Sequence, residues 1–449
     1  ERLAKAAFQK RWVALLLLPT LFPLLLVCFP LLLLVAAMSR PLSPEGPYRV
    51  GVHDFAHAGQ RLRVWYPCSE TAATTPAPWL PEPRARYAAA YLRVLLPNWR
   101  LASVFARPLA LIRAPAALRL GAPALPPSSD WTESFGWPVV LFSHGLLGCV
   151  AAYSSLCAEV ASHGAIVLAP EHLDGSAAFT LSSGDEGGVP YTKQRPTEHA
   201  DDQAWRAAQT QARTLELTRM LSQLDEMLAP TPLGTLGDAA LGPPHGRRVV
   251  LMGHSFGGGA VLEAVAALAK KPDAPRTPRV AAAVLLDPWL FGCSDAVYAP
   301  STHAAVGVPT MCVNTQTLMF PSNAHMIGRA LHAVGEAAAP RTVAWLEAAG
   351  TRHQEASDFA AIGYPLLRLM CMAGALRPRE SLGRHTAATV GFLAHTGAQP
   401  LSGCPQQQRA KELVAALLGE GDGAGRPSSG SDRYEPVSFV RHGCNHGRQ

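Results

Sequence analysis

From Gly46 onward, short apolar runs alternate with stretches of helical spacing. Tyr48 to Val52 and Arg61 to Tyr66 are bounded by turn-forming residues and predict two antiparallel strands that open a sheet. Trp137 to Ser143, Ile166 to Ala169, Arg248 to Met252, Val280 to Leu286 and Val308 to Asn314 are more continuously apolar, as strands buried on both faces are. Helical patterns fall between them. Gly258 to Lys270 is one; in another, Thr210 to Leu228, the residues Leu215, Leu217, Met220, Leu221, Leu224 and Met227 recur at near-helical spacing. This alternation predicts a mostly parallel central sheet flanked by helices, an α/β fold. Residues 180–200 are polar and glycine-rich, a loop near the strand ends. Gly350 to Gln354 reads as a loop between helices, ahead of Tyr364 to Met372, and a last helix is expected near Arg409 to Leu418.

The two ends depart from this pattern. Arg2, Lys5, Lys10 and Arg11 face a single acid, Glu1, and Trp12 to Met38 then run without a charged residue. That run exceeds the roughly 20 residues that span a bilayer and the roughly 7–15 of a signal-peptide core. Pro19, Pro23 and Pro30 would kink such a helix, which a membrane tolerates. The expectation is a single N-terminal anchor with the basic residues held on the cytoplasmic side and the remainder lumenal or extracellular. Cleavage near Ala36-Ala37 and secretion is the alternative. The chain thus divides into a basic N-terminus (1–11), a hydrophobic transmembrane or signal segment (12–38), an α/β domain (46–418) and a Gly/Ser/Asp-rich tail expected to be disordered (419–449). Residues 88–125 mix apolar side chains with Arg93, Arg100, Arg107, Arg113 and Arg119. They read either as amphipathic helices covering the sheet or as a basic, apolar surface that rests on lipid.

Composition narrows the possible functions. With 449 residues, 48% hydrophobic and 16% charged, the chain can bury a large core and is not a disordered protein. A net charge of +6 without a dense basic run gives nucleic-acid binding no support. Nine cysteines, scattered and never in C-x-x-C spacing, argue against both a zinc site and a disulfide scaffold. No acidic loop has calcium-site spacing, so neither metal nor other cofactor is expected.

The chemistry centres on Gly253-His254-Ser255-Phe256-Gly257, between a predicted strand and a predicted helix. In such a nucleophile elbow the serine sits on a turn too tight for bulky neighbours, and its hydroxyl emerges above a helix N-terminus. Ser255 is the candidate nucleophile. Serine needs a base oriented by an acid, and in α/β hydrolases these follow in the order Ser, Asp or Glu, His. Asp287 ends the next strand and His353 lies beyond it, so both fit; Asp358 and Asp295 compete with Asp287 for the acid. His254 points away by strand alternation and reads as a packing residue. The Phe256 amide would face the oxyanion, and His144-Gly145-Leu146-Leu147-Gly148 would supply a second donor, Leu146.

Five motifs occur in order: Phe142-Ser143-His144-Gly145-Leu146, Ala161-Ser162-His163-Gly164, Glu171-His172-Leu173-Asp174-Gly175-Ser176-Ala177, the elbow, and His353-Gln354 with Asp358-Phe359. As a set they resemble the plasma-type platelet-activating factor acetylhydrolase family, calcium-independent phospholipases A2, over roughly residues 46–400. The resemblance implies an α/β-hydrolase fold with Ser255, Asp287 and His353 as triad and Leu146 and Phe256 as oxyanion donors. It also implies metal-free hydrolysis of short or oxidised sn-2 chains of phospholipids at a membrane or lipoprotein-like surface. Apolar lipid-binding helices would then lie near 108–120 and 362–372. A related serine carboxylesterase or lipase, or a catalytically silent membrane-anchored binding protein, are the alternatives. The hydrophobic N-terminal segment, the glycine-rich tail and a longer loop between Gly175 and Asp201 set the chain apart from secreted members.

Overall fold

The computed structural model describes residues 41–69, 76–95, 102–114, 118–126, 136–181, 187–237, 242, 247–269, 279–317, 321–337, 343–369, 371–398, 405–417 and 439–441. The basic N-terminus, the expected anchor at 12–38 and most of the tail lie outside them. Among the described residues no helix is long and apolar enough to cross a membrane.

A ten-stranded sheet organises the molecule. Its strands are β1 (Arg49–His57), β2 (Gln60–Cys68), β3 (Leu118–Leu120), β4 (Val139–Ser143), β5 (Ile166–Pro170), β8 (Arg248–His254), β9 (Arg279–Leu286), β10 (Thr310–Thr317), β11 (Val343–Arg352) and β12 (Phe439–Arg441). They lie in the order β12-β11-β10-β9-β8-β4-β5-β2-β1-β3, while β6 (Phe179–Thr180) and β7 (Val189–Pro190) form a separate small hairpin. From β5 through β11 neighbours run parallel; β2 joins β5 and β12 joins β11 antiparallel.

Alternation along the central strands divides the core between the two faces. Val140, Phe142, Val250, Met252, Val284 and Leu286 pack on one side with Ala88, Leu156 and Phe392. Val139, Leu141, Val249, Leu251 and Leu285 pack on the other with Leu217, Val261 and Leu331. Helices therefore cover both faces, which is why these strands read as unbroken apolar runs.

Four expectations need correction. Gly350 to Gln354 does not follow a helix: Val343–Arg352 is strand β11, parallel to β10. Its Ala, Leu and Glu residues favour helices, but pairing and burial on the sheet decide β structure more than propensity does. The helix expected at Thr210–Leu228 begins earlier, at Asp202, where the Asp201 side chain accepts from the Ala204 amide. It stops at Ser222, a short helix Leu224–Leu228 follows, and Leu215 is 63% exposed rather than on the buried face. Of the apolar helices expected near 108–120 and 362–372, the first is shifted to Ala102–Leu109, with β3 at 118–120, while a helix, Tyr364–Leu369, lies within the second range. Within the expected disordered tail, Phe439–Arg441 forms β12.

Candidate active site

The parallel strands deliver their carboxyl ends to one edge, where α/β sheets hold ligands and catalytic groups. β8 ends at His254, Ser255 turns with φ 55°, and the helix Phe256–Ala269 begins at once. The flanking glycines are required by contact: a Cβ at Gly253 would overlap the Gly257 carbonyl, and one at Gly257 would overlap the Ser143 carbonyl on β4. The turn is strapped to β9, since the Ser255 amide donates to Leu286 O at 2.9 Å and Ser255 O accepts from Trp289 N at 2.8 Å.

Asp287 follows β9, and His353 follows β11. His353 Nε2 lies 2.9 Å from Ser255 Oγ, and its Nδ1 lies 2.6 Å from Asp287 Oδ2. The structure thus brings all three sequence-predicted groups into one relay, with Ser255 and Asp287 buried. Asp287 also accepts from Thr315 Oγ1 at 2.7 Å and Asn314 Nδ2 at 3.1 Å. Burial pushes this carboxyl up, but the hydrogen bond and charge of His353, with those two donors, outweigh it and hold its pKa below the usual value. The other acids take different roles. Asp358 accepts from the Ser154 and Ser155 amides and from Trp79 Nε1, so it caps the helix Ser154–Ser162. Asp295 opens a single 3-10 turn.

On the oxyanion side, the turn after β4 comes close to the nucleophile: a Cβ at Gly145 would sit 3.2 Å from Ser255 Cβ. Leu147 N donates to Ser176 O, whereas the Leu146 and Phe256 amides make no hydrogen bond among the described residues. These are the two amides the sequence singles out, and an acyl oxygen at this turn would find them uncommitted.

His254 is buried as expected of a packing residue, but it also joins the site. Its Nε2 lies 3.0 Å from His353 O and its Nδ1 lies 2.8 Å from Tyr153 Oη, which accepts from the Gly145 amide. Burial, and then the neighbouring His353, push the His254 pKa well down, so its ring is neutral and donates one hydrogen bond while accepting the other.

Beneath the oxyanion turn lies a second buried polar network. Ser143 Oγ meets His172 Nε2 at 2.8 Å and His172 Nδ1 meets Glu216. Arg213 pairs with Asp174 at 2.9 Å, donates to His144 O and Ser176 Oγ, and its guanidinium carbon lies 4.6 Å from the Phe256 ring centroid. Asp174 and Ser176 belong to a motif visible in the sequence. Arg213 and Glu216 sit inside an ordinary amphipathic helix and carry no local signal of their role.

The fold and this relay define an α/β hydrolase with a serine, histidine and aspartate at the carboxyl edge of its sheet. The sequence profile described as platelet-activating factor acetylhydrolase, isoform II, matches residues 39–399, and the chain belongs to that family. The dog platelet-activating factor acetylhydrolase is 25% identical over 301 residues, 64% of this chain and 62% of that protein. The chicken protein of the same name is 24% identical over 377 residues, 78% of this chain and 82% of its own. The match to the dog relative therefore spans about 62% of that protein's length. Among solved structures, a ferulic acid esterase from Streptomyces cinnamoneus superposes with a TM-score of 0.57 at 18% identity, covering 90% of this chain and 99% of that one. That likeness is one of fold.

Proposed function

We propose that this protein is a serine esterase that hydrolyses the sn-2 ester of phospholipids carrying short or oxidised acyl chains. The observation that carries the reading is the relay Asp287–His353–Ser255, with hydrogen bonds of 2.6 and 2.9 Å. Membership in the acetylhydrolase family, whose relatives are named for platelet-activating factor, supports the substrate class.

In this mechanism His353 takes the proton from Ser255 Oγ as it attacks the acyl carbonyl. The Leu146 and Phe256 amides take up the charge on the carbonyl oxygen. His353 then returns the proton to the departing lysophospholipid alcohol, and the acyl-enzyme is cleaved by a water that His353 activates. Asp287 fixes the imidazole tautomer and stabilises the imidazolium. No step calls for a metal or another cofactor.

The test measures release of the sn-2 chain from acetyl, butyryl and long-chain phosphatidylcholines with chelator present. Short-chain turnover that disappears in Ser255→Ala, and falls about 10⁴-fold in Asp287→Asn, is the expected result. Hydrolysis of simple esters without any phospholipid turnover would keep the esterase and reject the substrate.

A membrane-associated location, with the apolar segment 12–38 as anchor and a lumenal or extracellular domain, forms part of the proposal. It draws support from the exposed side chains Val104 and Leu111, 40% and 61% accessible, next to the exposed Arg107 and Arg113. Leu111→Asp is expected to weaken cosedimentation with phosphatidylcholine vesicles without changing monomeric-substrate turnover. Unchanged sedimentation would remove this surface from the lipid contact.

A further inference from the structure

His254 stands between the two halves of the proposed reaction. The oxyanion turn follows β4 and the base follows β11, and β8, β9 and β10 lie between those strands in the sheet. Neither half reaches the other by strand pairing. His254 ends β8, and its ring lies where they meet: a Cβ at Gly145 would come within 2.8 Å of Tyr153 Oη, 3.1 Å of His254 Nδ1 and 3.2 Å of Ser255 Cβ. The rings pack in a row, Phe142 on Tyr153, Tyr153 on His254 and His254 on His353, with centroids 4.9, 5.4 and 4.6 Å apart.

Backbone groups at the two ends of this row fix the direction of every hydrogen bond in it. Gly145 N–H can only donate, and it donates to Tyr153 Oη at 3.2 Å. His353 O can only accept, so the neutral His254 ring carries its proton on Nε2, 3.0 Å away. The bare Nδ1 then accepts from the Tyr153 hydroxyl at 2.8 Å. One tautomer satisfies all three bonds, and both side chains are buried, where a lost partner is costly to replace. A second set of bonds holds the same two segments together. Asp358 N donates to Ala152 O at 2.8 Å, and the Asp358 carboxylate accepts from Ser154 N and Ser155 N at 3.0 and 2.9 Å. The neighbours of Tyr153 on both sides are thus fastened to the loop that follows His353.

We infer that Tyr153 and His254 are positioning residues, a one-way relay that keeps the oxyanion turn in register with the base His353. The inference rests on the serine-esterase reading of Ser255 and His353. As the tetrahedral adduct forms, negative charge gathers at the turn and positive charge on His353, and groups placed beforehand need no rearrangement at that moment. A neutral His254 adds no repulsion to the new imidazolium beside it.

The experiment uses the full chain as wild type, Tyr153→Phe, His254→Phe, the double variant and His254→Gln. Turnover of p-nitrophenyl butyrate is followed, with active sites counted by a fluorophosphonate and folding checked by thermal melts. Each Phe variant should lose about tenfold in kcat per labelled site with KM held within about twofold, less than the roughly 100-fold that a full ångström of misplacement costs. The double variant should lose no more than the worse single one, because either change breaks the same chain. His254→Gln, which keeps a donor and an acceptor, should recover most of the His254→Phe loss. Losses that multiply in the double variant, or an unchanged kcat in Tyr153→Phe, overturn the relay and leave both side chains as packing. Tyr153→Phe keeps its ring, so it decides the question even where His254→Phe does not fold. Wild type that neither hydrolyses the butyrate nor takes the label overturns the esterase reading itself, and the role of the relay with it.

Discussion

Ser255 and Asp287 both hold left-handed backbone, φ 55° and 45°, where residues other than glycine are held at a cost of about 1–2 kcal/mol each. The fold keeps them there because their amides are taken by neighbouring strands, Ser255 N by Leu286 O and Asp287 N by Val313 O. At both positions the bend turns the side chain toward His353. A different cost is carried by Glu171, whose carboxyl lies buried with the Tyr87 hydroxyl donating to it. Burial raises its pKa to about 7, against an ordinary value of 4.5, and the Tyr87 hydrogen bond offsets this only in part. The folded protein therefore keeps a proton that the unfolded chain has lost, so the contribution of this group to stability is greatest at and below about pH 4 and declines as pH rises to about 7. Glu171→Gln removes this contribution, and thermal melts should show the variant gaining on wild type between pH 5 and pH 8. Parallel melting profiles would mean that the buried carboxyl is not shifted. Asp358, raised to about 6 chiefly by burial, adds a smaller decline of the same sign in both proteins.

Among the elements, the elbow and β11 make the site, and they differ in how plainly the sequence announces them. In the elbow, chemistry and backbone demand the same residues: Gly257 must approach the β4 carbonyl of Ser143 for the helix to start directly after Ser255. Gly257→Ala should cost more than about 3 kcal/mol or leave no folded protein, because the overlap is with backbone and cannot be relieved by a rotamer change. A melting temperature within a few degrees of wild type would mean the turn has room to shift. β11 lacks such a signature. Its Ala-Trp-Leu-Glu-Ala-Ala sequence suits a helix, and only its parallel pairing with β10, from Thr310↔Val343 onward, makes it a strand. That strand carries His353 to hydrogen-bond reach of Ser255, so the proposed base is placed by an element whose sequence reads as helix.

Across the whole molecule, Arg213 ties distant parts of the chain together. From the helix Asp202–Ser222 it reaches Asp174 after β5, the carbonyl of His144 after β4, and the Phe256 ring at the start of the elbow helix. Both side chains of the Arg213–Asp174 pair are fully buried. Arg213→Met should destabilise the protein by about 3–5 kcal/mol, since it strands the Asp174 charge. Replacing both, with Asp174→Leu, should restore much of the stability. It should leave turnover low, because the oxyanion turn has lost its donor at His144 O. Full recovery of turnover in the double variant would show that Arg213 does not position that turn.

The sequence alone determined the central strands, the mostly parallel sheet and the elbow, which depend on local backbone sterics and on apolar periodicity that neighbouring residues encode. Asp287 and His353 followed only from the order of groups in α/β hydrolases and from the family resemblance, with Asp358 and Asp295 left open. The tertiary structure decided what depends on residues far apart in the chain. It separated Asp287 from Asp358 and Asp295 by their hydrogen-bond partners, and turned His254 from a packing residue into one bonded to the carbonyl of His353. It also gave Arg213 and Glu216 their positions under the oxyanion turn. A buried polar side chain takes its role from the partners it meets, and only the folded chain brings those partners together.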